Sequence, residues 1–65
     1  MSTIGKNIKR LRQEKGISQD KLSKLADISL NTVVKLELDQ SPNPTLEKIK
    51  KLAKALSISL DDLIR

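Results

Sequence analysis

At 65 residues the chain has room for one small hydrophobic core and not for a second. It contains no Cys and no His, so disulfides and the usual zinc or haem ligands are excluded; packing, helix capping and dimerisation are left to stabilise it. Aromatic residues are absent from a 37% hydrophobic composition, which disfavours a large ligand pocket, and thirteen Lys and Arg against eight Asp and Glu give a net +5. Such a balance points to a polyanion or an acidic protein surface as partner.

In chain order, Ile4, Ile8 and Leu11 recur at i, i+4 and i+7 behind Ser2 or Thr3 as cap. This spacing predicts a first helix running to about Lys15 and stopped by Gly16. One local device then appears at three places: an Ile, a Ser, and another apolar residue four positions after the Ser. The instances are Ile17-Ser18 with Leu22, Ile28-Ser29 with Val33, and Ile58-Ser59 with Leu63. Each Ser can accept from orphan amides of a first helical turn, while the Ile before it packs on the fourth helical residue as a hydrophobic staple. Three helix starts follow.

Helix two is expected from about Gln19 to Leu25 and helix three from Ser29 as cap, so Ala26, Asp27 and Ile28 alone join them. A turn this short forces two helices to cross steeply, which is the geometry of a helix-turn-helix. Leu22, Leu25, Ala26, Ile28, Val33 and Leu36 are expected to line the inside of the corner. The same spacing also suits a tight αα-corner in an all-α bundle that never meets DNA. Gln40-Ser41-Pro42-Asn43-Pro44 reads as a loop, because each proline drives the residue before it out of helical geometry. A fourth helix follows Thr45 as cap, with Leu46, Ile49, Leu52, Ala53 and Leu56 on one face and Glu47 near its positive end. No strand pattern remains, and the fold class is all-α.

No apolar run approaches the roughly 20 residues of a membrane span, and no charged-then-apolar leader opens the chain. A soluble, cytoplasmic protein without cofactor or metal is expected. No nucleophile and base pair, metal cluster or Gly-rich phosphate loop is present, so an enzyme is not expected either.

Taken together, Ile4-Gly5, Leu11-Arg12, Gly16-Ile17-Ser18-Gln19, Leu22, Ile28-Ser29, Leu36-Glu37, Asn43-Pro44-Thr45-Leu46, Leu52-Ala53-Lys54-Ala55-Leu56 and Ser59-Leu60-Asp61-Asp62-Leu63 resemble the Cro and lambda-repressor-like helix-turn-helix family, also called the XRE family. The resemblance covers nearly the whole chain and implies a compact five-helix domain over residues 1–65, with the helix-turn-helix at about 18–38. It further implies a sequence-specific transcriptional regulator that binds double-stranded operator DNA, as a repressor or controller and usually as a two-fold dimer.

Carried onto this sequence, the resemblance makes Ser29 the cap of a recognition helix, with Leu30, Asn31 and Lys35 as base-reading residues. The helical wheel agrees for Asn31 and Lys35, which lie opposite Val33 and Leu36, and Leu38 continues their stripe. An Asn can bond adenine N6 and N7, a Lys can reach guanine O6 and N7, and an exposed Leu suits a thymine methyl. An ordinary solvated helix face would look the same. By the same likeness, Gln19 sets the start of helix two and its amides against a phosphate, with Ser18 and Thr32 adding hydroxyl contacts. Arg12 and Glu37 match a pair that bridges the first and third helices; Arg12 can also face phosphate, but the structural role is the stronger expectation for both.

Two departures from the family pattern stand out. Asp39 occupies a position where a left-handed Gly is common, and Asp adopts that conformation less readily. The loop residues Gln40, Ser41 and Asn43 are neutral where basic residues often grip phosphates. Residues 1–15 carry net +4, residues 16–40 net −1 and residues 41–65 net +2, so the reading surface is not itself basic. Attraction to DNA would come mainly from Lys6, Lys9, Arg10 and Arg12, while Lys48, Lys50, Lys51 and Lys54 either join in or solvate an outer face. Modest affinity with a shallow salt dependence is the expected consequence. Residues Leu56 to Ile64 either form a homodimer contact or close the core through Leu60, Leu63 and Ile64. The competing reading is a protein-interaction module, such as an antitoxin holding a toxin, which the apolar Leu30, Val34 and Leu38 favour.

Overall fold

A computed structural model describes residues 3–40 and 44–65. It contains α1 (Thr3–Glu14), α2 (Gln19–Ala26), α3 (Leu30–Glu37), α4 (Leu46–Ala55) and α5 (Leu60–Ile64), with no strand among the described residues. Four of the starts are capped as the residue types dictate. Ser18 Oγ accepts from the Lys21 amide at 3.0 Å, Ser29 Oγ from Thr32 at 3.1 Å, Thr45 Oγ1 from Lys48 at 3.2 Å and Ser59 Oγ from Asp62 at 3.1 Å. Each bond satisfies one of the amides that a helix start leaves without an internal partner. Thr3 lies within the first turn of α1, and Ser2, its alternative as cap, lies outside the described residues.

The Ile of each Ile-Ser pair packs against the core and also closes the helix that precedes it. Ile17, Ile28 and Ile58 each donate their amide to a carbonyl five residues back, on Arg12 at 3.2 Å, Ser23 at 3.0 Å and Ala53 at 3.0 Å. The residue before each Ile is left-handed: Gly16 (φ 67°), Asp27 (φ 57°) and Ser57 (φ 56°). This is the Schellman ending, in which an apolar residue just past the helix folds back onto it. One isoleucine thus closes a helix, and the serine beside it opens the next. α3 ends the same way, with Gln40 donating to the Lys35 carbonyl at 2.8 Å and Asp39 at φ 60°, the conformation expected for a Gly position.

The core consists of Ile8, Leu22, Ala26, Val33, Leu36, Ile49, Leu52, Ala53, Leu56 and Leu63, with Ile4, Leu11, Ile17, Ile28, Ile58 and Leu60 packed around it. Leu25 does not join the inside of the corner as expected: it is 52% exposed. The buried face of α2 is Leu22, Ser23 and Ala26, so the helix is rotated toward Ser23 and Leu25 is carried outward. Ser23 tolerates burial because its hydroxyl donates to the Asp20 carbonyl at 2.6 Å.

Two polar or small residues fix how the helices cross. A Cβ at Gly5 would overlap the Leu36 carbonyl oxygen, so α1 and α3 touch backbone to backbone at this point. Asn7 occupies an apolar slot on the inward face of α1, between Ile4 and Ile8. Its Nδ2 donates to the carbonyls of Leu63 at 2.7 Å and Arg65 at 2.9 Å, tying the unsatisfied end of the short α5 to α1. No helix among the described residues is long and apolar enough to cross a membrane.

Candidate nucleic-acid interface

α3 is amphipathic across only eight residues. Val33 and Leu36 are buried, while Asn31 and Lys35, one turn apart, are exposed on the opposite side. Leu30 (42% exposed) and Leu38 (60% exposed) flank them, and Val34 is half-buried. The structure therefore brings Leu30, Asn31 and Lys35 to one surface. Thr32 sits at the start of the helix and is half-buried, its hydroxyl 2.7 Å from that of Ser29.

Behind this surface lies a polar clamp. Arg12 of α1 donates from Nε to Glu37 Oε2 at 2.8 Å and from Nη2 to Glu37 Oε1 at 3.1 Å, a two-pronged bridge to the last residue of α3. Its Nη1 donates to the Ile17 carbonyl at 2.9 Å, in the turn before α2. Gln19, the first residue of α2, donates from Nε2 to Glu37 Oε1 at 3.1 Å. Glu37 thus gathers α1 and both helices of the corner around one carboxylate. Its side chain is 3% exposed and that of Arg12 is 12% exposed. The hydrogen bond that Arg12 donates to Glu37 raises the Arg12 pKa above its ordinary value, with desolvation opposing the rise and Coulombic attraction adding to it.

This burial alters the expected charge map. All three guanidinium nitrogens of Arg12 donate inside the fold, so its charge is neutralised there rather than offered on the surface of α1. Arg10 pairs with Glu14 at 3.1 Å in an exposed bridge, leaving Lys6 and Lys9 as the exposed lysines of that helix. On α4, Lys51 reaches Glu47 at 3.5 Å, and Lys50 and Lys54 are exposed. Of the loop after α3, Ser41, Pro42 and Asn43 lie outside the described residues.

The N-terminus of α2 carries Ser18 and Gln19, the latter reaching Glu37 at the end of α3, while Ser29 and Thr32 lie at the start of α3. A helix start concentrates amide donors and partial positive charge, a disposition suited to an anion. In the last segment, Leu56 and Leu63 are fully buried and close the core, whereas Ile64 is 45% exposed and Leu60 half-buried. Asn7 and Gly5 were not assigned roles from the sequence. The signal for Asn7 was its polar side chain at an inward helical position, and the signal for Gly5 was a glycine inside a helix, where it costs about 1 kcal/mol relative to Ala unless something requires it.

A helix-turn-helix family model matches residues 8–63 of the chain. Curated relatives include the HTH-type transcriptional regulator SinR of Bacillus subtilis (strain 168) and that of Bacillus licheniformis, each 30% identical over 61 residues. These matches cover 94% of this chain and 55% of each SinR, so the chain spans about half the length of those relatives. An uncharacterized HTH-type transcriptional regulator of Sinorhizobium fredii (strain NBRC 101917 / NGR234), y4dJ, is 34% identical over 61 residues, 94% of this chain and 78% of the relative. With a match that runs from the middle of α1 to the end of α5, and with α2 and α3 crossing at a three-residue turn, the chain belongs to the XRE-type helix-turn-helix family.

Proposed function

We propose that residues 1–65 act as a single DNA-binding domain of a transcriptional regulator, with α3 in the major groove of a duplex operator. The observation that carries this reading is the division of α3 into a face locked by the Arg12–Glu37–Gln19 clamp and a face that presents Asn31 and Lys35 outward. Asn31 bonds an adenine edge, Lys35 a guanine edge, and Leu30 contacts a neighbouring base. Ser18, Gln19 and Thr32 meet the phosphate backbone at the starts of α2 and α3, where Ser18 keeps a hydroxyl proton to donate. Arg12 serves phosphate binding indirectly, by holding Glu37 and through it Gln19. The relatives' description as transcriptional regulators supports the same role.

The operator is a palindrome bound by two copies joined near Leu56 to Ile64. With Leu56 and Leu63 committed to the core, Ile64 supplies the exposed apolar part of that contact. Selection from a random duplex library at near-physiological salt, with sequencing of the bound fraction, tests the proposal. Enrichment of a palindrome with half-sites roughly 10 base pairs apart is the expected result. Recovery of no sequence above background would reject it and favour a second reading, a protein-interaction module such as an antitoxin bound to a toxin. The exposed Leu25 and Leu46 are the feature that supports this alternative.

A further inference from the structure

The rotation of α2 that leaves Leu25 exposed places it beside an open groove of about 390 Å³ between the C-terminal ends of α2 and α4. Leu25, Ala26, Asp27, Lys51, Lys54 and Ala55 line it. Ala26 and Ala55 are too short to fill the groove, so a bulky apolar side chain from outside can enter between Leu25 and the aliphatic stems of the lysines. The rim is net positive, with Lys51 and Lys54 on the α4 side against Asp27 on the other. Lys51 meets Glu47 at 3.5 Å, but this exposed pair within one helix holds it weakly. Lys54 is exposed and has no ion-pair partner among the described residues. The groove therefore suits an apolar residue accompanied by a carboxylate.

α5 carries that combination. Asp61 and Asp62 in its first turn are exposed and have no ion-pair partner among the described residues. Ile64 follows Asp61 at i+3 and the half-buried Leu60 at i+4, so these three share one side of the helix, while Leu63 is buried on another. Within one chain, Asn7 and Leu63 hold α5 against α1 and the core, and no residue of α5 lines the chain's own groove. α5 begins just past Ala55, after the left-handed turn at Ser57, so groove and helix are neighbours on the surface. Two copies related by a two-fold axis can then make one contact twice, each laying its α5 on the other's groove. We infer that this domain self-associates by seating Ile64 of each copy in the Leu25 and Ala55 groove of the other, with Asp61 meeting Lys51 and Lys54. No residue of α3 lines the groove, so Asn31 and Lys35 stay uncovered. The inference rests on the two-copy reading above and names the surface that receives α5.

Sedimentation equilibrium of the chain without DNA tests the inference. Lys54→Glu and Asp61→Lys, each checked for helicity by circular dichroism, should weaken the dimer about tenfold, because a two-fold contact loses two pairs and gains two repulsions. Mixing the two variants in equal amounts should restore the dimer, since each groove then faces an α5 of opposite charge. Leu25→Ser alters an exposed position, so helicity should persist while the dimer weakens about tenfold. A dimer that all three variants form as well as the unaltered chain would overturn the inference and keep the two-copy reading. Variants that weaken singly but do not recover on mixing would overturn it too, because a pair within one chain behaves that way. An unaltered chain that stays monomeric to millimolar concentration would overturn both, with duplex selection still deciding whether α3 reads DNA. If Asp61→Lys does not fold, Leu25→Ser decides, and an undiminished dimer overturns the inference.

Discussion

The two faces of α3 share eight residues and one backbone but obey different rules. On the inner face, Val33, Leu36 and Glu37 have their surroundings specified by α1 and α2, to the point that the Leu36 carbonyl fills the space a side chain on Gly5 would need. On the outer face, Asn31, Lys35 and Leu38 are exposed. The inner face therefore bears on whether the protein folds, and the outer face, in the proposed function, on what it recognises. A single helix can give one face to the core and the other to water because side chains a half-turn apart point in opposite directions.

Substitutions should break along this division. Arg12→Ala strands the Glu37 carboxylate in a 3%-exposed site and removes both bonds of the bridge. A loss of about 3 to 5 kcal/mol is expected, enough to unfold much of a small domain at ambient temperature and readable as a large fall in Tm. An unchanged Tm would show that the clamp does not hold the corner. Next in size is Gly5→Ala, which gains helix propensity but forces α1 away from α3; a net destabilisation of about 1 to 3 kcal/mol by denaturant titration is expected. A neutral or stabilising outcome would mean that the two backbones can separate freely.

Across the helix, Asn31→Ala and Lys35→Ala should each cost about 1 to 3 kcal/mol of specific DNA binding with Tm nearly unchanged. Comparing selected and scrambled duplexes reads the binding part, and loss of folding in either variant would sink the site assignment. The smallest effect concerns the turn between α2 and α3, where Asp27 holds φ 57°. Asp27→Gly should raise stability by about 0.5 kcal/mol, because relief of left-handed strain exceeds the freedom that glycine adds to the unfolded chain. A lower Tm would show that the Asp side chain contributes something glycine cannot.

Much of the local structure was legible in advance because its causes are local. A Ser or Thr with a free amide three residues on is a cap wherever it occurs, and Ser18, Ser29, Thr45 and Ser59 all act as one. The Arg12–Glu37 pair was legible through the family resemblance, and Asn31 and Lys35 by their spacing against Val33 and Leu36. Leu25 was misplaced because hydrophobicity alone ranks it above Ser23, whereas the rotation of α2 depends on what packs against it. Asn7 escaped notice because its partners, the carbonyls of Leu63 and Arg65, are more than fifty residues away in the chain.

By itself, then, the sequence determined the starts of α2 to α5, the stop of α1 near Gly16, and the outward set on α3, since these follow from capping chemistry and helical period within a few residues. The tertiary structure alone decided that Gln19 shares Glu37 with Arg12, that Arg12 turns its charge inward, and that α1 and α3 meet at a bare backbone. Those outcomes depend on the angle and rotation at which separate helices pack. Packing answers to the volumes and polar partners of residues distant in the chain, which no local pattern encodes.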